Sequence, residues 1–110
     1  MLPTIKWWYR DLFVVGMMSD KDVVGFLKLL DLEGEEIFLT ELEIPRAAKL
    51  EQLSDAARGL KTPVHAFEAM SGALKAAREC VGESGRVVVA GSFYTVEAVV
   101  NEVRYGALQY

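Results

Sequence analysis

The feature that most constrains this chain is a repeated change of hydrophobic period. Short continuous apolar runs, Leu12 to Met17, Ile37 to Thr40 and Val87 to Ala90, are separated by longer stretches whose apolar residues recur every three or four positions. A continuous run of that length, bounded by polar or glycine-containing turns, fits a strand buried on both faces. The three-to-four spacing marks one face of a helix.

The helical stretches can be placed individually. Val23, Phe26, Leu27 and Leu30 share a face, Asp20 or Asp22 is a candidate N-cap, and Glu33-Gly34 ends the segment. Leu50, Leu53, Ala57 and Leu60 form a second stripe, with Gly59 near its C-terminus. Thr62-Pro63-Val64 is read as a very short strand. A third stripe follows at Phe67, Met70, Leu74, Ala77 and Val81, closed by Gly82 to Gly85, and Val96, Val99, Val100 and Val103 predict a last helix.

Strands alternating with helices imply parallel strands joined by right-handed crossovers. The expected fold is a three-layer α/β, Rossmann-like domain, with a mainly parallel sheet and helices on both faces. At 110 residues it reads as a single domain over 1–110, without repeats or linkers. The opening "MLPTIKWWYR" has no clear period and reads as an aromatic lead-in to the first strand.

Composition excludes several functions. With 52% hydrophobic and 25% charged residues the chain is typical of a folded domain and unlike a disordered one. Twelve basic against sixteen acidic side chains give a net charge of −4, which argues against a nucleic-acid partner. The apolar runs fall well short of the roughly 20 residues of a membrane span, no leader pattern is visible, and a cytoplasmic location is expected. Cys80 is the single cysteine, so no internal disulfide can form, and it reads as a small core residue.

In open parallel sheets ligands gather at the carboxyl ends of the strands. Four segments are expected on that rim: Met18 to Asp22, Thr40 to Arg46, the turn around His65, and Gly91 to Thr95. "SDKD" reads either as a solvated turn with an aspartate cap or as a loop presenting Lys21 to an anion. Arg46 reads either as a surface arginine or, restrained by Pro45, as a bidentate grip for a carboxylate. His65, the single histidine, has no metal-ligand company and reads as structural or surface-exposed. Phosphate-loop, dinucleotide, nucleophile-elbow and C-x-x-C motifs are all absent from the sequence.

Three stretches taken together carry a family resemblance. "VVGMMSDKDV" (14–23), "TELEIPRAA" (40–48) and "VVVAGSFYTVEAVV" (87–100) closely resemble the C-terminal domain of folylpolyglutamate synthases and their bifunctional dihydrofolate synthase relatives, within the Mur ligase C-terminal fold. The resemblance implies part of an ATP-dependent amide-bond ligase that joins L-glutamate to folate or dihydropteroate through an acyl phosphate. Magnesium neutralises the transferring phosphoryl group in such enzymes. It also implies that the phosphate loop, magnesium ligands and carbamylated lysine belong to an N-terminal ligase domain.

Hence no catalytic residue or metal ligand is expected on this chain, no cofactor is expected to bind it alone, and it is not expected to be catalytic by itself. The family's Asp-Gly-Ala-His-Asn-Pro element and the strand and helix of that region have no counterpart here, so the domain is expected to lack its first strand and helix. Carried over, Ser92 matches the serine of the G-S-F-Y element on the glutamate side, and Arg46 is placed by looser analogy near the carboxylate of the added amino acid. Asp20, Lys21, Asp22 and Tyr94 are expected on the cleft rim. Self-association through surface left uncovered, with Trp7 and Trp8 at the contact, is a further expectation. The alternative reading is a non-catalytic, stand-alone binding or assembly module derived from that domain.

Overall fold

The computed structural model describes residues 11–33, 36–82, 85–91, 95–98 and 100. Among the described residues four strands alternate with three helices: β1 (Asp11–Gly16), α1 (Val23–Glu33), β2 (Glu36–Thr40), α2 (Leu50–Ala56), β3 (Val64–Phe67), α3 (Met70–Val81) and β4 (Arg86–Gly91). Residues 95–98 and 100 are helical. The strands form one sheet in the order β3-β2-β1-β4, with every pairing parallel. The expected α/β architecture is therefore observed.

Helices cover both faces because alternate strand residues point to opposite sides. Phe13, Val15, Ile37 and Leu39 pack with Val23, Leu27 and Leu30 of α1 and Leu53 of α2. On the other face Leu12, Val14 and Phe38 meet Ala73, Leu74 and Ala77 of α3. The alanines let the α3 backbone approach the sheet closely. β1 is buried along its whole length, whereas Val87 to Ala90 of β4 are half-buried.

α1 starts where the sequence predicts. The Asp22 carboxylate accepts a hydrogen bond from the Gly25 amide at 3.0 Å, selecting Asp22 over Asp20 as the cap. α2 ends at Ala56, and Gly59 takes a φ of 87°, the left-handed region, in the turn beyond it. Leu60 lies past the helix yet packs against the same core.

Two elements differ from expectation. The third strand runs over Val64–Phe67, not Thr62 to Val64, since Pro63 has no amide to donate and contributes its carbonyl to the Ile37 amide instead. Phe67 consequently belongs to β3 and not to the helical stripe: its ring is 6.1 Å from that of Phe38 and packs beside Gly72 of α3. His65 lies inside β3, near its amino end, and not in a rim turn. In the last helical segment Val96 and Val100 are exposed, so they do not form the buried stripe that their spacing suggests. Val99, Val103, Trp7 and Trp8 lie outside the described residues.

Asp11 and Arg86, partners in the β1–β4 register, form an ion pair at the amino edge of the sheet, with Nε 2.7 Å from Oδ1. Nearby, Glu36 binds both His65 (Nε2 to Oε1, 2.7 Å) and the Cys80 thiol, which donates to Oε2 at 2.9 Å. Cys80 is thus a partly buried tie between α3 and β2 as well as a packing residue.

Candidate functional site

The chain winds outward from β1 through β2 to β3 on one side, then returns to place β4 on the other side of β1. The carboxyl ends of β1 and β4 therefore form the topological switch point, where open α/β sheets bind ligands. A hollow of about 270 Å³ lies there, lined by Met17, Lys21, Asp22, Phe26 and Gly91. It is slightly smaller than the roughly 300–1,000 Å³ typical of pockets for drug-sized ligands, and so fits a smaller molecule.

Gly91, which lines the hollow, pairs in parallel register with Gly16 at close range. Gly91, at φ 119°, lies directly against the Gly16 carbonyl, and a Cβ on Gly91 would overlap that oxygen. A Cβ on Gly16 would stand 2.8 Å from the Leu42 side chain. Gly91 thus requires glycine for conformation and closeness, whereas a side chain at Gly16 would have to displace that of Leu42. Above them, the fully buried Thr95 hydroxyl donates to the Gly16 carbonyl at 2.5 Å.

The rim is made by two loops bound along their backbones. The Ala48 amide donates to Met17 and the Ser19 amide to Arg46, both at 2.8 Å, and Met18 bridges Ala47 in antiparallel fashion. The Arg46 guanidinium then reaches Asp20 at 3.1 Å. The loop after β2 is anchored in turn by Glu41, whose carboxylate accepts from the Leu50 amide at 2.9 Å and caps α2.

These contacts distribute charge around the hollow. Asp20 is paired with Arg46, and Asp22 is engaged by the amide of Gly25. Lys21, between them, has no carboxylate partner among the described residues and lines the hollow. Its ammonium is available to an anion, while Arg46 is oriented toward a neighbouring carboxylate. Lys21 and Asp22 also line a larger open groove of about 780 Å³, bordered by Lys49, Glu51, Gln52 and Asp55 of the α2 region.

Of the residues expected on the rim, Asp20, Lys21, Asp22 and Arg46 are brought together. Ser92 and Tyr94 lie outside the described residues, although Gly91 and Thr95 bracket them. His65 is elsewhere, because its strand position puts it beside Glu36 at the amino end of β2. Gly16, Glu41 and Thr95 are contributors that sequence reasoning did not single out. The stretches 14–23, 40–48 and 87–100 contain them, but only the three-dimensional arrangement assigns their contacts. Among the described residues no three His, Cys, Asp or Glu side chains converge as metal ligands.

Fold and hollow together define a doubly wound parallel α/β domain that presents a small, cation-bearing site at its switch point. A family model described as Mur ligase, glutamate ligase domain matches residues 2–93, and the chain belongs to that family. It is 34% identical over 94 residues to the dihydrofolate synthase/folylpolyglutamate synthase of Escherichia coli (strain K12), covering 86% of this chain and 21% of that protein. Its fold resembles the bifunctional folylpolyglutamate synthase/dihydrofolate synthase of Yersinia pestis complexed with AMPPNP and Mn ion, at a TM-score of 0.75 and 32% identity, over 91% of this chain and 23% of that one. A bifunctional synthase of the same description with Mn, AMPPNP and L-glutamate bound gives a TM-score of 0.69 at 28% identity, over 84% and 22% of the two chains. The chain thus spans about a fifth of the length of the relatives it matches. No described helix is long and apolar enough to cross a membrane.

Proposed function

We propose that this chain is the glutamate-side domain of an ATP-dependent folate or dihydropteroate glutamate ligase acting in the cytoplasm, and that the hollow between β1 and β4 receives L-glutamate. The observation that carries this reading is Lys21: within a glutamate ligase domain, it lines the switch-point hollow and has no carboxylate partner among the described residues. Lys21 attracts one carboxylate of the amino acid, and the close pairing of Gly91 with Gly16 limits how deeply it can enter. The Asp22 carboxylate accepts from the Gly25 amide at the start of α1, so the positive charge assigned to the site is that of Lys21. Ser92, the residue that follows Gly91 in the sequence, is the hydroxyl this reading assigns to the glutamate. In this reading Arg46, paired with Asp20, exchanges that partner for a substrate carboxylate.

In this reading the acceptor folate, the nucleotide and the phosphoryl-transfer machinery belong to polypeptide outside these residues, because the phosphate loop is absent from the sequence. The chain presents the amino acid and is inactive by itself. Two assays test this. Incubated with ATP, magnesium, folate and L-glutamate, the chain should release no glutamate-dependent ADP. Calorimetry should detect binding of L-glutamate but not of L-alanine, which lacks the second carboxylate. Glutamate-dependent ADP release would refute the inactivity, and equal responses to the two amino acids would refute the site.

A further inference from the structure

The carbonyl of Gly16 is the last of β1 before the chain turns into the hollow, and two groups close on it: the α-carbon of Gly91 and the hydroxyl of Thr95. Thr95 is fully buried, and its oxygen lies 3.2 Å from where a Cβ would stand on either glycine. The hydroxyl therefore occupies the notch that the two missing side chains leave. A methyl group there would have the right volume but would leave the buried carbonyl without this donor.

We propose that Thr95 is a positioning residue for the hollow. By holding the Gly16 carbonyl it fixes the exit of β1 against the end of β4, and with it the start of the loop that carries Met17 and Lys21. Gly16 is the last register partner of β4, opposite Gly91, and the described backbone bonds of the following loop to other segments run to the β2 loop through Ala48 and Arg46. Loss of the Thr95 bond should free Met17 and Lys21 relative to Gly91 while leaving the α3 face of the sheet untouched, since α3 packs on Leu12, Val14 and Phe38.

The ligand part of this inference rests on the glutamate reading above, and the experiment separates the two. Thr95→Val and Thr95→Ser are compared with the wild-type chain by amide hydrogen exchange and by L-glutamate titration. In Thr95→Val the Ser19, Lys21 and Ala48 amides should exchange about tenfold faster, while the Ala73 amide of α3 keeps its protection. L-Glutamate should bind about tenfold more weakly, the scale of a small misplacement at a binding site. Thr95→Ser, which keeps the hydroxyl, should restore both. If Thr95→Val does not fold, the serine variant still decides: retained protection at Ser19 and Lys21 supports the positioning, and selective loss there overturns it. Uniform loosening that includes Ala73, or equal effects of the two variants, would also overturn it. If glutamate binding is absent from the wild type while the exchange pattern is as described, the glutamate reading fails and the positioning stands.

Discussion

Gly91 turns at a φ of 119° directly against the Gly16 carbonyl oxygen, in a space that no Cβ can share. Gly91→Ala must adopt a backbone conformation unfavourable for an L side chain and displace the β1 backbone as well. The expected loss is about 2 kcal/mol or more, a large share of the total stability of a small domain. Gly59→Ala, also at positive φ but with nothing within 4 Å of the added Cβ, should lose only about 1 kcal/mol from backbone strain. Urea unfolding of the two variants checks the difference.

Asp31 gives the fold an acid-sensitive joint. Its carboxylate accepts from the Lys61 and Thr62 amides, at 3.2 and 2.8 Å, tying the last turns of α1 to the loop before β3. The bonds from Thr62 hold its pKa below the ordinary 3.8. A carboxyl group with a depressed folded-state value contributes stability that is present above 3.8 and drains away as pH falls through the depressed value. Asp31→Asn should therefore flatten the acid limb of the urea midpoint against pH, with little further change in slope near neutrality.

At the opposite edge of the sheet, the two ends of one ion pair should respond unequally. The Asp11 side chain is 5% exposed and that of Arg86 is 67% exposed. Arg86→Ala strips the guanidinium from a buried carboxylate and should cost about 2 kcal/mol. Asp11→Asn leaves an arginine that water can solvate and should cost about 1 kcal/mol or less. Thermal melts at neutral pH distinguish this from equal losses.

Glu41 caps α2 from nine residues away, at the N-terminus where Lys49 makes no side-chain cap of its own. Glu41→Ala should lower stability by about 1 kcal/mol, whereas Glu41→Gln retains an acceptor and should lose less. Because Glu41 also anchors the loop that carries Arg46, the alanine variant should perturb the Ser19 amide, which is bonded to the Arg46 carbonyl. Chemical-shift changes confined to α2 would contradict that connection.

How far the structure could be read from the sequence depended on how each element is buried. α1 and α3 were legible because Val23, Leu27 and Leu30, and then Leu74 and Ala77, are buried at helical spacing. β1, buried on both faces, was equally clear as a continuous run. β3 was not, since this edge strand exposes His65 and Ala66 and leaves little apolar signal. Phe67, three residues before Met70, mimicked a helical stripe while in fact packing from the strand. The rim was legible as a location, because carboxyl-end loops follow from topology. Its internal pairing was not: Asp20 and Arg46 are 26 residues apart, and only the parallel register of β1 and β2 brings them together.

The most direct test of the central claim is a titration of the isotope-labelled chain with L-glutamate, followed at each backbone amide. Saturable shifts should centre on Gly16, Met17, Lys21, Asp22 and Gly91, disappear in Lys21→Met, and persist in Lys49→Met, whose ammonium is already 3.5 Å from Glu41. Shifts centred on the His65 and Cys80 side of the sheet, or a response unchanged in Lys21→Met, would contradict a glutamate site at the β1–β4 switch point.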